Sequence, residues 1–381
     1  MHPRDAPVLA RLAATQPIWP VTATVPRTEG ESARLIAWLQ AERAAGRGLA
    51  YGVAVGGGDP IIGMIRLRRI DAAFRIADAS FVFDDPTWDG LLPAGVLREA
   101  FDFAFRYLGL HRLEVRTMTV REAELLGDLE ATLEGRLRES WPAGDALVDQ
   151  HLWSILGPEW MDRAHAPVRL GLGVVSRPEA PPEPAKHDTD DPPPPWTQTP
   201  PSASRAGVTV REVRSGDARA LLKTFTPDEI RACINPPTTT VEAFNRYIAW
   251  AKQERTRGRA VSFAILTNHS PDPVGLVQVR CLERQAAVAD MGVLLARSCR
   301  GTGVFPAAMR LVLDFTFDTM GLHRLEARTS ATNQAGMGAL RKLGAMREAR
   351  LRGSFPRGAE FVDDDLWSIL GSDWRAAREI G

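Results

Sequence analysis

Arg300-Gly301-Thr302-Gly303, followed by Val304 and Phe305, is the segment of this chain best suited to hold an anion. Glycines let backbone N–H groups turn toward one centre, a helix starting just after them adds partial positive charge, and Arg300 adds a full one. A Gly-x-Gly pair also fits a plain turn, so its weight comes from position. It follows the aliphatic run Val288 to Leu295 and precedes an apolar-periodic stretch from Pro306. Asp290 lies on the incoming run and is a carboxylate able to take a proton. Asn333 either contacts a ligand or caps a helix starting at Gln334.

The elements that position these residues read from the periodicity. Val208 to Val213 alternates as a half-buried strand, and Val241 to Arg255 has helical spacing. Ser262 to Leu266 and Val274 to Leu282 are strands around a turn at His269 to Pro273, and Val288 to Leu295 is the next. After the glycine loop a helix runs from Pro306 to about Met320 and stops at Gly321. Arg324 to Thr329 is a strand, Gln334 to Leu343 a helix ending at Gly344, and Phe361 to Leu370 a final strand.

The same pattern occurs twice. A shift of 212 positions aligns Gly109-Leu-His-Arg-Leu-Glu-Val-Arg-Thr117 with Gly321 to Thr329, with one difference. It also pairs Ile36-Ala37-Trp38 with Ile248-Ala249-Trp250, Gly63 with Gly275, and Ala77-Asp78 with Ala289-Asp290. A shift of 214 then pairs Arg136-Leu137-Arg138 with Arg350-Leu351-Arg352, Leu152 to Gly157 with Leu366 to Gly371, and Trp160 with Trp374. Two diverged copies therefore run from about Pro20 to Trp160 and from about Gly207 to Trp374. Ten residues between Ser176 and Ala206 are proline, so that stretch is expected as an exposed, semi-stiff spacer. The expected division is 1–165, a linker 166–206, and 207–381.

With 47 basic and 47 acidic residues in 381, no general field exists to hold nucleic acid or an anionic membrane. No apolar stretch approaches the length of a bilayer span, and the chain is expected to be soluble and cytoplasmic. Cys233, Cys281 and Cys299 have no metal-ligand spacing, so neither a metal site nor a disulfide framework is expected.

The element order with an Arg-x-x-Gly loop between strand and helix resembles the GNAT N-acetyltransferase superfamily, most nearly its RimJ/RimL-type branch. The residues carrying the likeness are Ala289 to Val293, Gly321 to Glu326, Asn333, Leu343-Gly344, Asp365 to Ser368 and Trp374. The resemblance implies an α/β (α+β) fold of two tandem acetyltransferase-type domains, each a mixed, mostly antiparallel sheet flanked by helices. It further implies acetyl transfer from acetyl-CoA to a primary amine, on a protein N-terminus or a small molecule. Gly301, Thr302, Gly303, Val304 and Phe305 would then cradle the pyrophosphate with Arg300. Val293 and Leu295 would offer backbone groups to the pantetheine arm where two strands part, and Asn333 would touch the cofactor. The acceptor groove would involve the region around Thr226 to Thr240.

The sequence departs from the family pattern at three places. Phe305 replaces a small residue and is expected to crowd the pyrophosphate. Gly336 stands where relatives carry an acid serine, and Phe355 where they carry a glutamate, which leaves Asp290 as the candidate base. Asp78 matches Asp290 in the first copy, so a structural role for both stays open. The first copy has Trp88-Asp89-Gly90-Leu91-Leu92-Pro93 in place of the loop, and Arg121 is aligned with Asn333. An aspartate repels a pyrophosphate and Pro93 lacks an N–H, so the first copy is expected not to bind acetyl-CoA. It also lacks an evident first strand, for which Val168 to Val175 is a possible substitute. Because His111 and His323 occur in both copies, they are expected to be structural, as are Trp153, Trp367, Trp160 and Trp374. Two alternatives stay open: a binding or interaction protein in which Phe305 plugs a dead site, and a chain whose two domains pair mainly for architecture.

Overall fold

The computed structural model of the chain describes residues 1–16, 21–22, 25–56, 60–84, 92–163, 194–231, 238–283, 287–358 and 360–380. The chain forms two compact units, Met1–His187 with Ala349–Asp364, and Asp188–Glu348 with Asp365–Gly381. Each is a mixed, mostly antiparallel sheet with helices on both faces.

The first unit begins with helices α1 (Ala6–Thr15) and α2 (Glu29–Ala44). Thr28 caps α2 by accepting from the Glu31 N–H, and the Glu31 side chain reaches back to the Thr28 N–H. The strands are β1 (Gly48–Val53), β2 (Gly63–Asp71), β3 (Ile76–Phe83), β4 (Arg112–Thr117), β5 (Thr132–Ala143) and β6 (Ala146–Leu156). Helices α3 (Leu92–Asp102), α4 (Val120–Asp128) and α5 (Gly157–Asp162) complete it. The sheet order is β1-β2-β3-β4-β6-β5, with only β3 and β4 parallel among its described pairs. Strand alternation divides the core: Ile65, Leu67, Phe81 and Phe83 face α3 and α4, while Met64 and Val82 face α1 and α2.

The second unit contains β7 (Ser202–Arg205), β8 (Val208–Glu212), α6 (Ala218–Thr224), α7 (Pro227–Arg231), α8 (Val241–Thr256), β9 (Ala260–Thr267), β10 (Ser270–Glu283) and β11 (Val288–Leu295). Then follow α9 (Val304–Asp314), β12 (Arg324–Ser330) and α10 (Gln334–Lys342). The hairpin β13 (Met346–Arg357) and β14 (Glu360–Leu370), with α11 (Gly371–Ile380), ends the chain. Its sheet runs β7-β8-β9-β10-β11-β12-β14. Val277 and Val279 pack toward α9 and α10, and Leu276 and Leu294 toward α6 and α8.

The repeat holds in three dimensions, and further than its sequence signal. Ala6 and Leu9 match the buried Ala218 and Leu221, so the repeat begins before Pro20. Thr28 and Thr240 are equivalent caps. Gly63 and Gly275 are retained because an added Cβ would come within 2.7 Å of the Val82 and Leu294 carbonyl oxygens respectively. The helix expected from Pro306 to Met320 is instead α9 to Asp314 followed by a π-turn, Phe315–Thr319, and the first unit has the same turn at Phe103–Tyr107. The spacer region is structured at its far end. Trp196 is buried with an edge-on contact to Phe315, and β7 follows, because the proline run ends in a large apolar ring that the core accommodates. Val168 to Val175 lies outside the described residues; β8 has no described counterpart in the first unit, where β1 is the terminal strand of the order.

The motif Gly-Leu-His-Arg-Leu-Glu owes its retention to a buried arginine. The Arg324 guanidinium is fully buried against Glu326 at 3.1 Å and Glu348 at 2.5 Å, and Ser368 donates to Glu348 at 2.7 Å. Arg112 has the same arrangement with Glu114 at 3.2 Å and Glu134 at 2.5 Å. Burial pulls the Arg324 pKa down, but the two carboxylates outweigh it and hold the group above its ordinary value.

Residues 349–364, by sequence part of the second copy, belong to the first unit. Ala349 pairs with Gly135 of β5, the Arg352 N–H donates to Glu134 at 2.8 Å, and the Arg352 side chain pairs with Glu159 at 2.6 Å. Phe361 stacks on His111 with ring centroids 3.5 Å apart, and Gly353 lies against the other part of that imidazole. Burial, then Arg75 and Arg112, hold the His111 pKa below its ordinary value.

Glu348→Ala is expected to cost about 3–5 kcal/mol, since it leaves a buried guanidinium short of a partner; the drop in urea midpoint measures it. A histidine whose folded pKa is depressed binds protons more readily when unfolded. The stability that His111 contributes is therefore complete above about pH 6.5 and is lost as the pH falls through its lower folded value. His111→Gln should show a smaller fall in melting temperature than the parent between about pH 7.5 and about pH 5.5; parallel falls would remove His111 from the pH response.

Candidate functional site

The parallel pairing of β11 with β12 runs only from Val288↔Arg324 to Met291↔Ala327. Both strands continue, β11 through Val293 and Leu295 and β12 through Thr329 and Ser330, without further rungs between them. Beyond Met291 the backbone of β11 on that side is therefore available to a third chain-like partner. The first unit repeats this geometry, with its β3–β4 rungs ending at Ala79↔Val115.

The opening leads to the glycine loop. Gly301 and Gly303 have φ of +78° and +87°, which side-chain-bearing residues adopt with strain, and a Cβ on either would meet nothing within 4 Å. Thr302 is held by its hydroxyl donating to the Cys299 carbonyl at 2.7 Å. Gly303 precedes α9, whose first N–H groups, on Val304 and Phe305, have no partner within the helix; Pro306 at the third position has none to offer. Phe305 packs its ring against the apolar core of the unit. The crowding expected of it is thereby relieved, because the helix start turns the side chain inward while its N–H stays at the end of the helix.

Arg300 is half exposed, 3.8 Å from Glu229 of α7, and Arg297 lies 3.7 Å from the same carboxylate. The Thr226 N–H donating to Glu229, with smaller contributions from Arg297 and Arg300, holds that carboxyl below its ordinary pKa. Sequence reasoning did not single out Glu229, whose neighbours in space come from a distant loop.

Asn333 caps α10, its Oδ1 accepting from the Gly336 N–H at 3.0 Å, while its Nδ2 approaches Thr329 Oγ1 at 3.4 Å. The capping role is thus observed, and the amide still stands at the end of β12 beside the opening. Its counterpart is Thr119, which caps α4, and not Arg121: α4 matches α10 at a shift of 214, so the two-residue insertion precedes the helix. Gly336 is constrained too. A Cβ there would come within 2.6 Å of Asn333 Nδ2 and 2.9 Å of Thr329 Oγ1.

Asp290 is bidentate with Arg280, its register partner on β10, at 3.1 and 2.6 Å. In the first unit Asp78 pairs with Arg69 and lies 3.4 Å from Arg68. Phe355, at the position of the missing glutamate, packs edge-on against Phe74 in the first unit. His111 and His323 accept through their backbone carbonyls from Gly157 and Gly371, each at 2.7 Å, which ties β4 and β12 to the start of the following helix. Trp160 and Trp374 are core residues whose indoles donate to Asp102 at 2.8 Å and Asp314 at 3.1 Å. Trp88 to Leu91 lie outside the described residues. Among those described, no helix is long and apolar enough to cross a membrane and no group of metal-ligating side chains occurs.

Gly336→Ser is expected to displace Asn333 from its capping position and to cost about 1 kcal/mol, measured by chemical denaturation.

A family model for the acetyltransferase (GNAT) domain matches residues 1–123 and 208–346. The uncharacterized N-acetyltransferase p20 of Bacillus licheniformis is 23% identical over 168 residues, 44% of this chain and 94% of its own length. The probable N-acetyltransferase YjcK of Bacillus subtilis is 28% identical over 135 residues, 35% of this chain and 75% of its own. A solved RimJ of Mycobacterium smegmatis in complex with CoA-disulfide is similar at 22% identity and TM-score 0.40, covering 48% of this chain and 96% of its own. The two matched stretches, one in each copy, make this chain a member of the GNAT acetyltransferase family, and an acyltransferase.

Proposed function

We propose that the second copy, residues 207–381, moves an acetyl group from acetyl-CoA to a primary amine, on a protein N-terminus or a small molecule, and that the first copy, residues 1–165, is structural. The observation that carries this is the opening between β11 and β12 leading to a helix start with free donors. A pyrophosphate fits the loop because its φ-positive glycines leave space and its nearby cation, Arg300, can exchange Glu229 for phosphate oxygens.

In this reading Gly301 to Phe305 and Arg300 bind the phosphates, and the unpaired backbone of Val293 and Leu295 aligns the pantetheine arm. Acetyl-CoA supplies the acyl group as a thioester. The chain's contribution is orientation of the thioester and backbone donors near its carbonyl. Asp290, with both oxygens on Arg280, holds β10 to β11 and is not assigned the base. The dead-site alternative rested on Phe305, whose ring lies on the core.

Calorimetric titration of acetyl-CoA into the full chain should give one site per chain. No binding would sink the proposal, and two equal sites would overturn the structural role of the first copy. Arg300→Ala should weaken binding about five- to tenfold at low ionic strength, and the difference should shrink as salt is raised. Mass spectrometry of amines offered with acetyl-CoA should find a gain of one acetyl group.

A further inference from the structure

Trp367 lies on β14 with its ring in the core of the second unit, 2% exposed, and the Arg341 guanidinium 5.3 Å over it. Its indole Nε1–H has no acceptor among the described residues. A buried donor without an acceptor works against folding, and native chains keep few of them.

The first copy contains the same pair of residues in the ordinary state. Trp153 donates to Thr117 Oγ1 at 3.0 Å, and Thr117 is fully buried. Trp153 stands in register with Val115, the last residue of β4 that pairs with β3. At the repeat shifts these positions become Trp367, Thr329 and Ala327, and Ala327 is the last residue of β12 paired with β11. The indole therefore belongs to the rung at which the two strands part.

In the second copy Thr329 is half-buried, and its oxygen is approached by the Asn333 amide at 3.4 Å instead of by the indole. The loop from Ser330 to Asn333 is two residues longer than its counterpart, and it ends in a capping asparagine where the first copy has Thr119. The outcome is two donors beside the opening, the indole N–H and the Thr329 hydroxyl, the latter accepting from Asn333 and free to donate. Both are neutral, so they suit a neutral oxygen; phosphate charge is met elsewhere, at Arg300 and the start of α9.

We propose that Trp367, with Thr329 beside it, donates a hydrogen bond to a carbonyl oxygen of the acyl-pantetheine arm where β11 and β12 separate. This rests on the acetyl-CoA reading given above and adds a binding station to it. In the first copy the two residues satisfy each other, which leaves no such station there.

The test uses the full chain with two ligands, acetyl-CoA and 3′-phosphoadenosine 5′-diphosphate, which has the phosphates but no pantetheine arm. Trp367→Phe keeps an aromatic ring and removes the N–H. It should raise the Kd for acetyl-CoA about tenfold and leave that for the truncated ligand unchanged. Thr329→Val, nearly isosteric, should produce the same split at a few-fold and serves if the tryptophan variant does not fold. Trp153→Phe should leave both affinities as they are. Equal affinity for acetyl-CoA in parent and both variants overturns the inference, as does an equal loss for both ligands. Binding of neither ligand by the parent chain overturns the acetyl-CoA reading itself, a result distinct from either of those.

Discussion

A guanidinium group taken wholly out of water is the constraint from which the architecture follows. Arg324 sits at the start of β12, a strand that gives up its partner β11 after Ala327. A strand unpaired on one side must be fixed from the other. Arg324 does this by reaching Glu326 on its own strand and Glu348 on β13. The desolvation of three charged groups is tolerable only because the geometry is close and the oxygens have further donors, among them Ser368. Removing one member leaves the others buried and uncompensated, so the cluster is retained as a set or not at all. The first unit shows this: Arg112, Glu114 and Glu134 persist there, where the loop residues do not.

The cluster also explains why the compact units cut across the repeat. In the first unit Glu134 has capacity beyond Arg112 and accepts from the Arg352 N–H, and Arg112 donates to the Arg352 carbonyl at 2.8 Å. The tip of the second copy's hairpin thus enters a polar network already present for another reason, and Phe361 on His111 adds an apolar contact beside it. Buried polar groups fix register because a slip of one residue would leave each of them unpaired.

Most of this frame was legible in the sequence because duplication works as an internal alignment. Positions kept at one shift turned out to be caps, close approaches and buried pairs: Thr28 and Thr240, Gly63 and Gly275, Arg112 and Arg324. What escaped had no such signal. Strand β13 was not seen because Met346 to Arg350 carries charges on both faces, at Arg347, Glu348 and Arg350, and offers few apolar residues. The end of α9 was misplaced because Phe315 and Phe317 continue the apolar spacing through a π-turn, and a single extra residue per turn is invisible to periodicity. The two-residue slip was put after Arg121 and belongs before α4, since Met118-Thr119 has little likeness to Ser330 to Asn333. The orphaned indole of Trp367 was beyond reach, as its environment depends on where Thr329 points.

At the first turn of the helix after the loop, the two copies differ in where their free donors lie. α3 and α9 match from Leu92 and Val304 onward, so Pro93 occupies the position of Phe305. Both side chains are turned inward, Pro93 buried and Phe305 on the core, and in packing they are alternatives. In hydrogen bonding they are not. Phe305 leaves an N–H at the helix end, and Pro93 removes it. Pro306 has already taken the third donor from α9, so an anion there depends on Val304, Phe305 and the glycines before them. In α3 the third residue is Ala94, so that helix keeps its donors at Leu92 and Ala94, whereas α9 has two adjacent ones at Val304 and Phe305. The residue that looked in sequence like a plug turns its side chain to the core and leaves, through its backbone, a donor beside that of Val304.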